Sequence, residues 1–397
     1  MKSIVKFLFM AFASCMFLPF IACDDDNSLN KGGGDDGKDN EVYAAIIDNY
    51  VDRTILPTYK SLKEEAKKLN QLVEKFKDEP TQSNLEAACQ QWKETRVPWE
   101  ESEAFLFGPV ANQQIDPHLD SWPLNQTNIN AILSGSIKWT DEDGEQLEDG
   151  SSMGAATLGF HTLEYLLFEN GKPRKASDIL GRTDKNNYLW YMVVVSQVLR
   201  NDAVEVYALW VGSDNLNNED AALAEELGFP DLTSKGYGAR FKNPNVNDQS
   251  YPNQKACIDA IIDGCVDIAT EVADAKMGEP YNNKDVFGVE SWYSFNSFTD
   301  YNDNITSIEN AYMGGPLENR NNAGSLYAYI KSVDSQAAEN VKKLIEESHN
   351  ALTGMPDCFR NIVLAYADGT PSPEVEEAME IIGELSDALN KLKPLVK

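Results

Sequence analysis

The sequence predicts an all-α fold built as two packed helical-bundle lobes, and three observations predict it. Apolar residues recur at three- and four-residue intervals along most of the chain, while runs alternating like a half-buried strand are nearly absent. The helical stretches fall into two sets of four on either side of a stretch rich in Asn, Gly and Pro, as expected for a pair of four-helix-bundle-like halves. A length of 397 residues exceeds what one small core organises.

Residues 1–22 read as an address. Lys2 and Lys6 precede an apolar run from Phe7 to Ile21 that Pro19 interrupts and that is shorter than the roughly 20 residues a bilayer-crossing helix needs. The run closes on Phe20-Ile21-Ala22-Cys23, the pattern of a bacterial lipoprotein signal, with Cys23 as the lipidated first residue; a plain secretory signal is the alternative. Residues 23–40, with Asp24-Asp25-Asp26 and Lys31-Gly32-Gly33-Gly34, form a polar tether, and the folded body is expected from Glu41. The destination is therefore the cell envelope, anchored at the outer membrane on its periplasmic face or at the cell surface.

In the N-terminal lobe, 41–211, the series Ile46, Tyr50, Ile55, Leu62, Leu69, Val73 and Phe76 marks one or two helices with a kink or break at Pro57. Ser83, with Glu86 three residues on, predicts the capped start of the next; Pro98 should bend it, and Gly108-Pro109 should stop it. An irregular stretch follows, then helices over about 153–168 and 184–210. Residues 212–252 are read as the connection. In the C-terminal lobe, 253–397, helices are expected over about 253–276, 291–312, 323–350 and 373–392, with a shorter one near Phe359.

Composition excludes whole classes of partner. Asp and Glu outnumber Lys and Arg by 64 to 34, a net charge of −30, and a chain this acidic repels nucleic acid and anionic lipid headgroups, so the membrane is met through the anchor only. Beyond Cys15 and Cys23, the four cysteines Cys89, Cys257, Cys265 and Cys358 are too few and scattered for a disulfide framework, and no Cys-x-x-Cys occurs. Nucleotide-binding loops and the Gly-x-Ser-x-Gly elbow are missing too. The acidic stretches 141–149 and 300–304 fail the calcium-loop pattern and read as solvated turns. The aromatic run Trp292, Tyr293, Phe295, Phe298 and Tyr301 reads as packing core before it reads as a sugar platform.

Only three histidines are present, and His161 is the informative one. It lies with Glu164 at i and i+3 in an otherwise apolar helix, about the spacing at which an imidazole and a carboxylate reach the same cation. The plainer reading is that the pair satisfy each other or the backbone inside the bundle. Zinc-protease patterns fail: His-Glu-x-x-His is absent, and Tyr165 stands where the inverted motif needs its second histidine. Glu100 and Glu103, also at i and i+3, could bring carboxylates from a neighbouring helix unless they form a solvated face; Asp116 and Asp120 follow, and Glu290 could face the groove between lobes.

Gly159-x-His161-x-x-Glu164, together with Trp92, Arg96, Trp99, Glu100, Glu103, Gly108-Pro109 and Asp120-Ser121-Trp122-Pro123, resembles the imelysin family over most of the chain from Glu41 to Leu392. These are secreted or lipid-anchored bacterial proteins first described as insulin-cleaving membrane proteases. The resemblance implies a two-lobed helical fold with Gly159, His161 and Glu164 in the groove between lobes, and a role in iron uptake with envelope transport partners. It singles out Glu103, then Glu100, with Asp120, as further metal residues. One imidazole with several carboxylates is a hard, oxygen-rich set that suits iron first, then calcium or manganese, with zinc also admitted. The expected function is binding of a metal ion or a metal-bearing small ligand, not catalysis. A metallopeptidase, or a carbohydrate- or protein-binding lipoprotein with a structural His-Glu pair, are the alternatives.

Overall fold

The computed structural model describes residues 36–135 and 154–397, and helices carry nearly all of them; the one strand pairing among these residues is a two-residue hairpin, Phe168–Glu169 against Lys172–Pro173. The signal over 1–22, Cys23 and the acidic stretch 141–149 lie outside the described residues. The fold is all-α, as the periodicity predicts.

Helix α1 (Asp36–Tyr50) starts five residues ahead of Glu41 and passes into α2 (Leu56–Asp78) through a π-helical turn, Val51–Ile55. Pro57 does not break the rod. Its missing N–H is met just upstream, where Leu56 N–H donates to the Val51 carbonyl five residues back. Pro80 holds Glu79 out of the helical region and ends α2, so Thr81 is the residue placed to cap α3 (Gln82–Glu100); it accepts from Asn84 N–H at 3.3 Å, and the expected Ser83 cap is not formed. Helix α3 stops at Glu100, short of Gly108, and a 3₁₀ turn at Glu103–Phe105 follows. The stretch expected to be irregular holds short helices at Pro109–Asn112, Ile115–Asp120 and Gln126–Leu133.

Helix α4 (Gly159–Leu167) is shorter than its apolar run because Gly159 takes φ +72°, which a regular helix cannot pass through. A Cβ there would also run into the carbonyls of His118 and Leu119. The 27-residue α5 (Lys185–Val211) packs along α2 and α4. Residues 212–252 are more than a connection: helices Asn218–Leu227 and Gly236–Lys242 pack on α5.

In the second half, α6 (Gln254–Thr270) widens into a π-helical segment, Glu271–Gly278, and then Glu279–Asn283. Helix α7 (Ser297–Met313) begins later than its aromatic run, because Ser291 and Phe295 take positive φ in a tight turn. The expected helix over 323–350 is two, α8 (Leu326–Val333) and α9 (Ser335–Thr353), parted by Asp334, whose carboxylate caps the N–H groups of Gln336 and Ala337 at 3.0 Å. After Phe359–Ala367 comes α10 (Pro373–Asn390).

Gly37–Lys397 form one compact unit with a continuous apolar core. Helices α2, α3 and α5 pack together in its first half and α6, α7, α9 and α10 in its second. Among the contacts that join the halves, three frame the site: α7 lies against α3 and against the Glu103–Phe105 turn, and α6 against the same turn. Gly264 permits the last, since a Cβ would meet the Ala104 carbonyl. All four body cysteines are free thiols.

Candidate metal centre

Arg96 organises the centre from inside α3. Its guanidinium is fully buried, and a buried cation persists only with anionic partners. It has four: Glu100 one turn along the same helix, Asp120 at the end of Ile115–Asp120, Glu290 at 3.2 Å and Asp300 of α7 at 3.4 Å. Each carboxylate is held in turn. Trp99 Nε1 donates to Asp120 Oδ2 at 2.7 Å, Asn296 Nδ2 to Asp300 Oδ1 at 2.7 Å, and Asn304 Nδ2 to Glu100 Oε2. Residues 300–304 are therefore not a solvated turn: Asp300 and Asn304 are fully buried in the first turns of α7.

His161 and Glu164 form a pair with one nitrogen left over. Glu164 Oε1 accepts from Tyr293 N–H at 3.0 Å, Ser294 N–H at 2.7 Å and the Ser294 hydroxyl at 2.7 Å, while Oε2 lies 3.1 Å from His161 Nδ1. A carboxylate supplied with that many donors is an anion, so Nδ1–H donates to it and Nε2 is turned the other way. Nε2 lies 3.0 Å from Asp120 Oδ1 and 3.4 Å from Glu290 Oε1, off the line of a hydrogen bond to either. Trp122 packs edge-on against the imidazole, ring centroids 5.0 Å apart. The spacing suggested that both side chains grip one cation; instead Glu164 aims the ring, and Asp120 and Glu290 share its open nitrogen.

Beyond Nε2 the centre opens into a cavity of about 420 Å³ lined by Glu103, Asp116, Asp120, Glu271, Lys276 and Glu290, among others. Lys276 enters from the π-helical segment, its Nζ 3.4 Å from Glu290 Oε2, 3.7 Å from Glu103 Oε1 and 3.9 Å from Glu100 Oε2. Five carboxylates, Glu100, Glu103, Asp120, Glu290 and Asp300, thus face two permanent cations, Arg96 and Lys276. Acidic groups outnumber these cations, and they are buried.

Burial and charge divide these acids into two kinds. Burial pushes Glu100 and Glu103 well above the usual carboxylate range, with Arg96 and Lys276 respectively offsetting it only in part. Burial, with Asp120 beside it, lifts Asp116 to about 7. Around Nε2 the balance reverses. Burial is outweighed at Asp120 by Arg96 and His161, which hold it below the usual range, and at Glu290 by Lys276 and His161, which hold it at about 2. Burial would lower His161, but Asp120, Glu164 and Glu290 raise it well above its ordinary value. The seat at Nε2 therefore draws positive charge, as a proton or as a metal ion.

Four of the five predicted metal residues, His161, Asp120, Glu100 and Glu103, fall in two groups of ligand atoms, and Glu164 stands behind His161. His161, Asp120 and Glu290 offer ligand atoms within 4.8 Å of one another, and so do Glu100, Glu103 and Asp120. Glu100 and Glu103 are buried, not a solvated face. Arg96 one turn before Glu100 on a Trp-rich helix carried a signal for the ion-pair hub. Glu290, which the sequence placed toward the groove, does reach the centre, while Asp300 and Lys276 are brought in by the tertiary fold with no local pattern to mark them. Of the aromatic run, Tyr301 is fully buried, and Tyr293 packs edge-on against Trp122 and Tyr165. His118 lies 3.5 Å from Asp202, and His349 bonds Asn302, both away from the centre.

Comparison with known proteins adds a lineage to this geometry. Iron-regulated protein A of Synechococcus elongatus is 26% identical over 352 residues, 88% of this chain and 86% of that protein. A crystal structure from Parabacteroides distasonis, provisionally assigned as an iron-regulated protein A precursor, is 30% identical with a TM-score of 0.76 over 90% of this chain and 96% of that one. An imelysin-like protein from Psychrobacter arcticum, 14% identical with a TM-score of 0.58 over 90% of this chain and 94% of its own, shares the fold. The family described as Peptidase_M75, imelysin, matches residues 55–393, and the chain belongs to the imelysin family.

Proposed function

We propose that this chain binds a multivalent metal ion, iron first among the candidates, as a lipid-anchored protein of the cell envelope serving iron acquisition. The observation that carries the reading is the buried Nε2 of His161, fixed by Glu164 and aimed at Asp120 and Glu290 amid a surplus of carboxylates. A buried nitrogen lone pair flanked by two anionic oxygens is a costly arrangement unless a cation joins it.

His161 Nε2, Asp120 and Glu290 would hold the ion, with Glu100 and Glu103 in reach of its outer side. One nitrogen with several oxygens suits iron, manganese or calcium, and zinc less closely. Once bound, such an ion supplies a concentrated positive charge. The chain supplies the rest: Glu164 fixes the ring, Arg96 orients Asp120 and Glu290, and Trp122 covers the imidazole. The names of the Synechococcus and Parabacteroides relatives support iron. The signal ending at Cys23 supports the anchor.

The test is calorimetric titration with Mn²⁺, a redox-stable analogue of ferrous iron, paired with elemental analysis of natively purified protein. His161→Ala is expected to abolish binding while the far-UV spectrum stays that of the parent, because Glu164 keeps its three donors on Oε1. Undiminished binding in that variant would reject the assignment.

A further inference from the structure

The centre contains two donor groups that share Asp120, and a lysine reaches two members of the second, Glu100 and Glu103. Lys276 Nζ stands between Glu100, Glu103 and Glu290 at 3.4–3.9 Å, longer than the roughly 2.7–2.9 Å of a charge-assisted hydrogen bond. The ammonium donates one long hydrogen bond, to Glu290 Oε1 at 3.5 Å, and from there reaches within 4 Å of Glu100 and Glu103, so it is spread over three carboxylates as an ion in a multidentate site is. Its backbone is fixed: Tyr301 donates its hydroxyl to the Lys276 carbonyl at 3.1 Å. Lys276 also issues from a π-helical segment, and such wide turns are frequent at functional sites. Here the wide turn sets both Glu271 and Lys276 on the cavity wall.

We infer that Lys276 is a tethered cation filling the Glu100–Glu103–Asp120 half of the centre, so that the protein takes one multivalent ion beside His161 where its donors could hold two. The inference rests on the metal-binding reading above.

The experiment counts ions. Wild-type protein, Lys276→Met and Lys276→Arg are titrated with Mn²⁺ by calorimetry and assayed for bound manganese after gel filtration. Wild type and Lys276→Arg are expected to bind one Mn²⁺ per chain, and Lys276→Met two. If the methionine variant does not fold, Lys276→Gln, neutral and still able to donate to Glu290, replaces it with the same expectation. A neutral variant that still binds one ion overturns the inference, as does a wild type that binds two. A wild type that binds none defeats the metal-binding reading itself, which separates the two failures.

Discussion

Glu164 decides which nitrogen of His161 the centre uses. An isosteric Glu164→Gln exchange can leave its carbonyl oxygen with Tyr293 and Ser294, but its amide then points N–H at Nδ1. The imidazole must answer with Nδ1 as acceptor, which puts the proton on Nε2, where the ion belongs. Loss of such a supporting carboxylate typically costs about 10- to 100-fold in metal affinity. Weakened hydrogen bonds at a buried position add about 1–3 kcal/mol of lost stability. Calorimetry on Glu164→Gln should therefore show weaker but measurable Mn²⁺ binding, whereas His161→Ala shows none. Equal loss in the two variants would place Glu164 on the ion directly. The sequence put both residues on one helical turn, but three intervening residues cannot tell a shared ligand from a ligand and its support. That distinction comes from Tyr293 and Ser294, about 130 residues away.

At the level of elements, local chemistry marked where helices lie better than where they stop. Apolar periodicity located α2, α9 and α10 because each buries one continuous stripe, and α5 because it is apolar and buried nearly all round. Boundaries followed single residues whose effect is tertiary or conformational: Pro80 ahead of Thr81, Asp334 between α8 and α9, and Gly159 at the head of α4. Gly159 matters most to the centre, since the helix carrying His161 starts at a positive φ with its backbone against the carbonyls of His118 and Leu119, two residues from Asp120. Gly159→Ala should thus cost about 2 kcal/mol or more in denaturant unfolding and weaken Mn²⁺ binding as well, because α4 must move off the Asp120 helix. Asp334→Ala, at an equally sharp boundary far from the centre, should cost only about 1 kcal/mol and leave binding intact. A Gly159→Ala protein as stable and as tight as the parent would show that the glycine's geometry is dispensable.

For the molecule as a whole, the buried acids link metal, proton and stability. Without an ion, Asp116, titrating at about 7, and the raised Glu100 and Glu103 hold protons that the unfolded chain has already shed. Groups whose folded pKa is raised contribute stability that is full at low pH and is lost as pH climbs through the folded value, here the window from about 4 to about 7 for Asp116. Asp120 and Glu290, with lowered values, contribute the opposite sense, and Glu290 loses its share as pH falls from about 4.5 to about 2, below that window. His161, raised, adds to the loss as pH rises. A bound ion takes the place of those protons, so its affinity must grow with pH across the same window. Thermal melts with and without Mn²⁺ at about 100 times Kd should then show a stabilisation near 2.7 kcal/mol at about pH 7.5. For a chain of this size that is a rise of roughly 3–4 °C. With the Mn²⁺ concentration unchanged, the gain should shrink several-fold at about pH 5.5, where Asp116, Glu100, Glu103 and the imidazole keep their protons. An ion-induced shift of the same size at both pH values would mean that the ion meets groups already deprotonated, and would move the binding site away from the His161 centre.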